Sequence, residues 1–166
     1  MFDNLLAANR QYAAGFMYKG VPAKAAAGFG LITCMDTRIE PLAAFGLVVG
    51  DSKIVRNAGG RVTSDAIRSM VLAASFLGVT GIAVMHHTGC ALAGTTDEEL
   101  LASLPEPQRR HLTGVHLLAM PDPDAALAED VAKLRSCAAM PAGVQVEGWR
   151  YDVDTGAVDR LIPAAT

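Results

Sequence analysis

The stretch Gly28-Phe29-Gly30-Leu31-Ile32-Thr33-Cys34-Met35-Asp36-Thr37-Arg38 decides how this chain is read. Residues 28–33 are a short apolar run between turn signals, the pattern of a buried strand. The run stops at a cysteine and gives way to charged residues on alternate positions. A second run, Gly81-Ile82-Ala83-Val84-Met85, has the same character and leads into His86-His87-Thr88-Gly89-Cys90. Between them, Ser64-Asp65 offers an N-cap for a helix over about 65–77, with Ile67, Met70, Val71 and Ala74 as its apolar stripe. Short buried strands alternating with helices predict an α/β fold, with a mainly parallel central sheet flanked by helices.

Outward from these runs, residues 2–18 read as an N-terminal helix, stopped by Gly20 and Pro22. Pro41 opens a short helical turn. Residues 47–49 and 53–56 read as a strand region split by Gly50-Asp51, and residues 57–60 as a glycine loop. Thr95 to Glu98 opens a short helix, and Pro105 and Pro107 interrupt the next stretch. Residues 115–119 read as a strand. Asp122 or Asp124 caps a helix reaching about Cys137. Residues 144–153 and 157–162 form a C-terminal hairpin about Asp154-Thr155-Gly156. No internal repeat or long linker divides the chain, so residues 1–166 are expected to form a single domain.

Composition narrows the function. Of 166 residues, 51% are hydrophobic and 19% charged, which excludes a disordered chain. The formal net charge is −3, and no cluster of Lys and Arg exceeds Arg109-Arg110, so no nucleic-acid partner is expected. No apolar run reaches transmembrane length, and the N-terminus lacks a basic segment with a cleavage site. No membrane partner and a cytoplasmic location are therefore expected. In that compartment thiols stay reduced, so Cys34 and Cys90 are expected to ligate metal rather than to pair. A mean hydropathy of +0.29 points to apolar surface covered by self-association.

Cys34, His87 and Cys90 make a Cys₂His set, with the last two three residues apart. Three protein ligands leave one tetrahedral position open, as in a catalytic zinc site. One Zn²⁺ per chain is the expected cofactor. Ligands of open α/β sheets sit beyond the carboxyl ends of the strands. That is where both motifs would meet if the two runs are neighbours. On an extended segment Cys34, Asp36 and Arg38 share a side. A bidentate Asp36–Arg38 pair would keep the carboxylate off the metal and leave it to orient a zinc-bound water.

Cys34-x-Asp36-x-Arg38 with His87-x-x-Cys90 resembles the β-class carbonic anhydrases. Arg56-Asn57-Ala58-Gly59-Gly60 before a helix, and the closing hairpin with Tyr151 to Gly156, extend the resemblance over roughly residues 28–160. The chain is similar in length to the compact prokaryotic members. It departs at Ala91, where the family often has glycine after the last cysteine. The resemblance implies reversible hydration of carbon dioxide to bicarbonate and a proton by zinc-bound hydroxide. Cys34, His87 and Cys90 would be the metal ligands, with Asp36 and Arg38 as catalytic dyad. It also implies a homodimer or a dimer of dimers, with N-terminal helices packed on the partner.

Simpler roles are expected elsewhere. His86 should face the opposite side of the strand from His87 as a satisfied histidine. Cys137 is expected to be structural, His111 and His116 to lie at the surface or an interface, and Trp149 and Tyr151 to pack. The glycine loop falls short of a dinucleotide fingerprint and is expected to bring backbone close to the crevice. Two further functions share the donor set: hydrolysis of carbonyl sulfide or carbon disulfide, and non-catalytic zinc binding.

Overall fold

A computed structural model describes residues 1–165. Five strands form one sheet: β1 (Phe29–Cys34), β2 (Ser52–Asn57), β3 (Gly81–His87), β4 (Gln145–Tyr151) and β5 (Val158–Ile162). Their order is β2-β1-β3-β4-β5. The first four are parallel, and β5 returns antiparallel on β4 as the expected hairpin. Asp152 closes that hairpin, accepting from the backbone N–H groups of Asp154 and Thr155. This is the mainly parallel α/β sheet that the alternating runs imply.

Among the described residues, six α-helices accompany the sheet: α1 (Phe2–Ala14), α2 (Pro41–Ala44), α3 (Ser64–Phe76), α4 (Asp97–Ser103), α5 (Glu106–Leu112) and α6 (Pro123–Arg135). Helices α3 and α6 cover one face of the sheet. Met70, Leu127, Val131 and Leu134 pack there against Ile32, Val84 and Val146. Burying each large aliphatic side chain stabilises the fold by about 1.5–3 kcal/mol. The opposite face holds a second cluster with Leu31, Ile39, Met85 and Met120. Phe29, Phe45 and Trp149 pack together at its edge, with ring centroids 5.5–5.8 Å apart and Phe29 stacked on Trp149, so Trp149 packs as expected. Buried Tyr151 belongs to the same cluster.

Several elements differ from the sequence expectation. Helix α1 ends at Ala14, short of residue 18. Residues 47–49 are not strand; Val48 N–H donates to Asp51 in a turn that precedes β2. The cap of α3 is Thr63, whose hydroxyl accepts from Ala66 N–H, one residue before the expected Ser64. Pro107 does not prevent a helix, because it sits in the first turn of α5, where its missing N–H has no intrahelical acceptor. Residues 115–119 are not a strand either. Leu118 has φ 62°, and Asp97 accepts from the N–H groups of Leu117 and Ala119. These side-chain bonds replace a ladder, and Met120 makes a single bridge to Ala93. Asp122 caps α6, which ends at Arg135 and leaves Cys137 beyond it.

Candidate metal centre

Strands β1 and β3 are adjacent and parallel, with Thr33 opposite Met85. Their carboxyl ends therefore fall on one edge of the sheet. Cys34 is the last residue of β1, and His87 is the last of β3. The chain then turns through Thr88-Gly89, with Gly89 at φ 63°, a conformation that favours glycine. The turn returns Cys90 to the same corner. One ligand atom from each of Cys34, His87 and Cys90 lies within 4.8 Å of the others, and all three residues are buried.

The imidazole is set up to donate a lone pair. His87 Nδ1 lies 2.8 Å from the carbonyl oxygen of Thr88. A carbonyl only accepts, so Nδ1 carries the proton and Nε2 presents its lone pair. His87 Nε2 is buried with no hydrogen-bond partner. Burial holds His87 below its ordinary pKa, which keeps the ring neutral. Burial pushes the Cys90 thiol up, and neighbouring Cys34 adds to that rise. A cation reverses the balance, since metal ligation deprotonates a thiol. Two sulfurs and an orphaned imidazole nitrogen suit a borderline-soft divalent ion such as zinc, so these residues fit it.

Beside the triad, Arg38 grips Asp36 from three sides. Its backbone N–H and Nε both donate to Oδ1 at 2.9 Å, and Nη2 donates to Oδ2 at 2.7 Å. Hydrogen bonds from the Arg38 side chain and backbone hold the Asp36 carboxyl well below the usual carboxylate range. Arg38 Nη2 also donates to Gly89 O at 3.0 Å, strapping one motif to the other. Asp36 Oδ2 stands 3.9 Å from His87 Nε2, so the carboxylate borders the donor set without closing on it.

The glycine loop supports this corner. Gly59 and Gly60 have φ 75° and 68°. A Cβ on Gly60 would stand 2.9 Å from Cys34 N and 3.1 Å from Met85 O, wedging β1 from β3. The close backbone approach expected of the loop is therefore real. A residue with no sequence-level role completes the frame. Arg56 Nε donates to Cys34 O at 3.0 Å, and its Nη2 donates to Asp36 O at 2.6 Å. It fixes the backbone at Cys34, the end of β1, and at Asp36 two residues beyond it. Its only signal was its place before the glycine loop. Cys34, Asp36, Gly59, Cys90 and Leu92 are among the walls of an open crevice of about 310 Å³.

His86 points away, as alternation requires. It is not the satisfied histidine expected: Nδ1 and Nε2 are both buried without a hydrogen-bond partner, and Nε2 lies 3.3 Å from Asp130 Oδ2, within ion-pair range only, because Arg61 already occupies that carboxylate. The carboxylate is satisfied mainly by Arg61, whose Nε donates at 2.6 Å. His111 and His116 are exposed, and Cys137 is a half-buried free thiol.

Fold and donor set together define an α/β protein with a Cys₂His cluster that could hold a metal ion at the carboxyl edge of a mainly parallel sheet. The carbonic anhydrase family model matches residues 29–115. Beta-carbonic anhydrase 1 of Mycobacterium tuberculosis is 32% identical over 97% of this chain and 98% of its own length. The crystal structure of carbonic anhydrase from Streptococcus mutans superposes with a TM-score of 0.86 at 36% identity, covering 96% of each chain. A carbon disulfide hydrolase of Acidithiobacillus thiooxidans is 30% identical over 74% of this chain and 71% of its own length. The chain belongs to the β-carbonic anhydrase family and is an enzyme of that class, a lyase. Among the described residues, no helix is long and apolar enough to cross a membrane.

Proposed function

We propose that this chain binds one Zn²⁺ through Cys34, His87 and Cys90 and reversibly hydrates carbon dioxide to bicarbonate and a proton. The observation that carries this reading is the pairing of a three-donor corner with a carboxylate held beside it, 3.9 Å from the ligand nitrogen. When bound, zinc supplies the Lewis acidity that makes water a nucleophile near neutral pH. Arg38 occupies Asp36 at both oxygens, and Oδ2 keeps a free lone pair. Asp36 uses that lone pair to accept a hydrogen bond from the reacting water and aim its oxygen at the substrate carbon. The released proton leaves to solvent through the open crevice. A structural zinc would recruit a fourth protein ligand and would need no such dyad.

The carbon disulfide hydrolase relative supports a second reading, hydrolysis of carbon disulfide or carbonyl sulfide at the same corner. Stopped-flow measurement of carbon dioxide hydration, beside sulfide release from the two analogues, separates the two. Rapid hydration without sulfide release is expected. A protein with stoichiometric zinc that releases sulfide and leaves carbon dioxide untouched would reverse the assignment.

We further propose a homodimer or dimer of dimers. Helix α1 contributes no buried residue; Phe2, Leu5, Leu6 and Tyr12 stand exposed along it, and Phe16 stands exposed just past its end. A second copy is the occupant that the family resemblance supplies for this surface.

A further inference from the structure

A second cavity abuts the metal crevice. It measures about 240 Å³ and is lined by Ala58, Leu92, Leu100, Leu104, Leu112 and Leu117. Ala58 and Leu92 are also walls of the crevice. The Leu92 side chain lies over Gly59, where an added Cβ would stand 3.2 Å from its Cδ2. The chamber thus shares a thin apolar partition with the corner that holds Cys34 and Cys90. No charged residue lines it. The one hydroxyl, Ser103 Oγ, donates to Leu100 O at 2.7 Å and makes no demand on an occupant. The leucines are half-buried: they form the walls of the space without filling it.

The sequence places the chamber there for local reasons. Helix α4 is held by a capping box between Thr96 and Glu99, and α5 comes directly after it. Both are short and bury no residue, so their apolar sides face a gap rather than a packed core. Asp97 and Arg61 hold the backbone at residues 117–119 as the floor.

We infer that this chamber is a holding site for the neutral substrate, carbon dioxide, from which it passes the Leu92 partition into the metal crevice. The inference rests on the carbonic anhydrase reading. An uncharged, linear molecule gains from leaving water for such a space, whereas an anion loses its hydration there. Bicarbonate therefore exchanges through the open, polar mouth at Asp36 and Arg38. Substrate and product take separate routes, set by charge.

The test combines an inert probe with two substitutions at Leu104, which lines the chamber and not the crevice. In the zinc-loaded protein, dissolved xenon is expected to shift the methyl resonances of Leu100, Leu104 and Leu112 saturably. Leu104→Phe fills the chamber, abolishes the xenon shifts and lowers kcat/KM for carbon dioxide roughly three- to tenfold. Zinc content and inhibition by azide, a charged ligand of the metal corner, stay at wild-type values. Leu104→Ala enlarges the chamber, keeps xenon binding and leaves kcat/KM within about twofold of wild type. Absent xenon shifts in the wild type, or an unchanged kcat/KM in Leu104→Phe, would overturn the inference. So would a fall in kcat/KM accompanied by zinc loss or weakened azide inhibition. If the wild type hydrates no carbon dioxide while xenon still binds, the functional reading fails and the chamber itself stands.

Discussion

His86 and His87 are neighbours on one strand, and they belong to different chemistries. His87 faces two cysteines and keeps Nε2 free of any protein partner. His86 faces Asp130, a carboxylate with no exposed surface, which Arg61 holds at 2.6 Å. The first face is open to solvent through the crevice and leaves a valence unfilled. The second is sealed under α6 and balances its charges internally, with Lys133 and Glu129 at its rim. The contrast teaches that a residue's role here is set by the partners its strand face meets. Both imidazoles keep buried nitrogens without a hydrogen-bond partner; two thiols face His87, and a carboxylate already held by Arg61 faces His86.

The two faces should break differently. His87→Ala is expected to have the largest effect, loss of stoichiometric zinc together with the activity, while the sheet still folds. Metal analysis beside circular dichroism checks both parts. Retention of zinc and activity would remove His87 from the ligand set. Asp130→Ala should do the reverse. It leaves Arg61 charged, buried and without its carboxylate, a loss of about 3–5 kcal/mol in folding stability. Chemical denaturation measures that change, and the folded fraction should keep its zinc.

A smaller effect is expected in acid. Burial raises the Asp130 pKa, but the adjacent His86 ring and the Arg61 guanidinium, which donates hydrogen bonds to it, outweigh that and bring it down to about 2 from 3.8. A depressed folded pKa contributes stability above the unfolded value and loses it as pH falls through the folded one. Asp130 should therefore contribute about 2 kcal/mol near neutrality, lost between roughly pH 4 and pH 2. Comparing denaturation of wild type and Asp130→Asn over that window isolates the contribution. An unchanged difference between the two across the window would show that the pair does not titrate as described.

The meeting of Cys34, His87 and Cys90 was legible because its signals are local. The spacing to Cys90 selects His87 over His86, and the apolar run ending at Cys34 puts that cysteine at a strand terminus. What could not be read depends on contacts between distant positions. Arg61 and Asp130 are 69 residues apart, and neither carries a periodic or motif signature. Arg56 acts on backbone carbonyls, which leave no trace in sequence. Residues 115–119 look like a strand by composition, yet Asp97 captures the N–H groups a ladder would use. Thr63 displaced the expected Ser64 cap because adjacent hydroxyl residues offer equivalent chemistry and only backbone geometry chooses between them.

In the proposed mechanism the Asp36 carboxylate orients water and does not ligate the metal. Asp36→Ala tests it most directly, with zinc content and stopped-flow carbon dioxide hydration measured on the same preparation. Stoichiometric zinc is expected, with turnover reduced roughly a hundredfold. Wild-type turnover in Asp36→Ala would contradict it, and so would loss of the zinc.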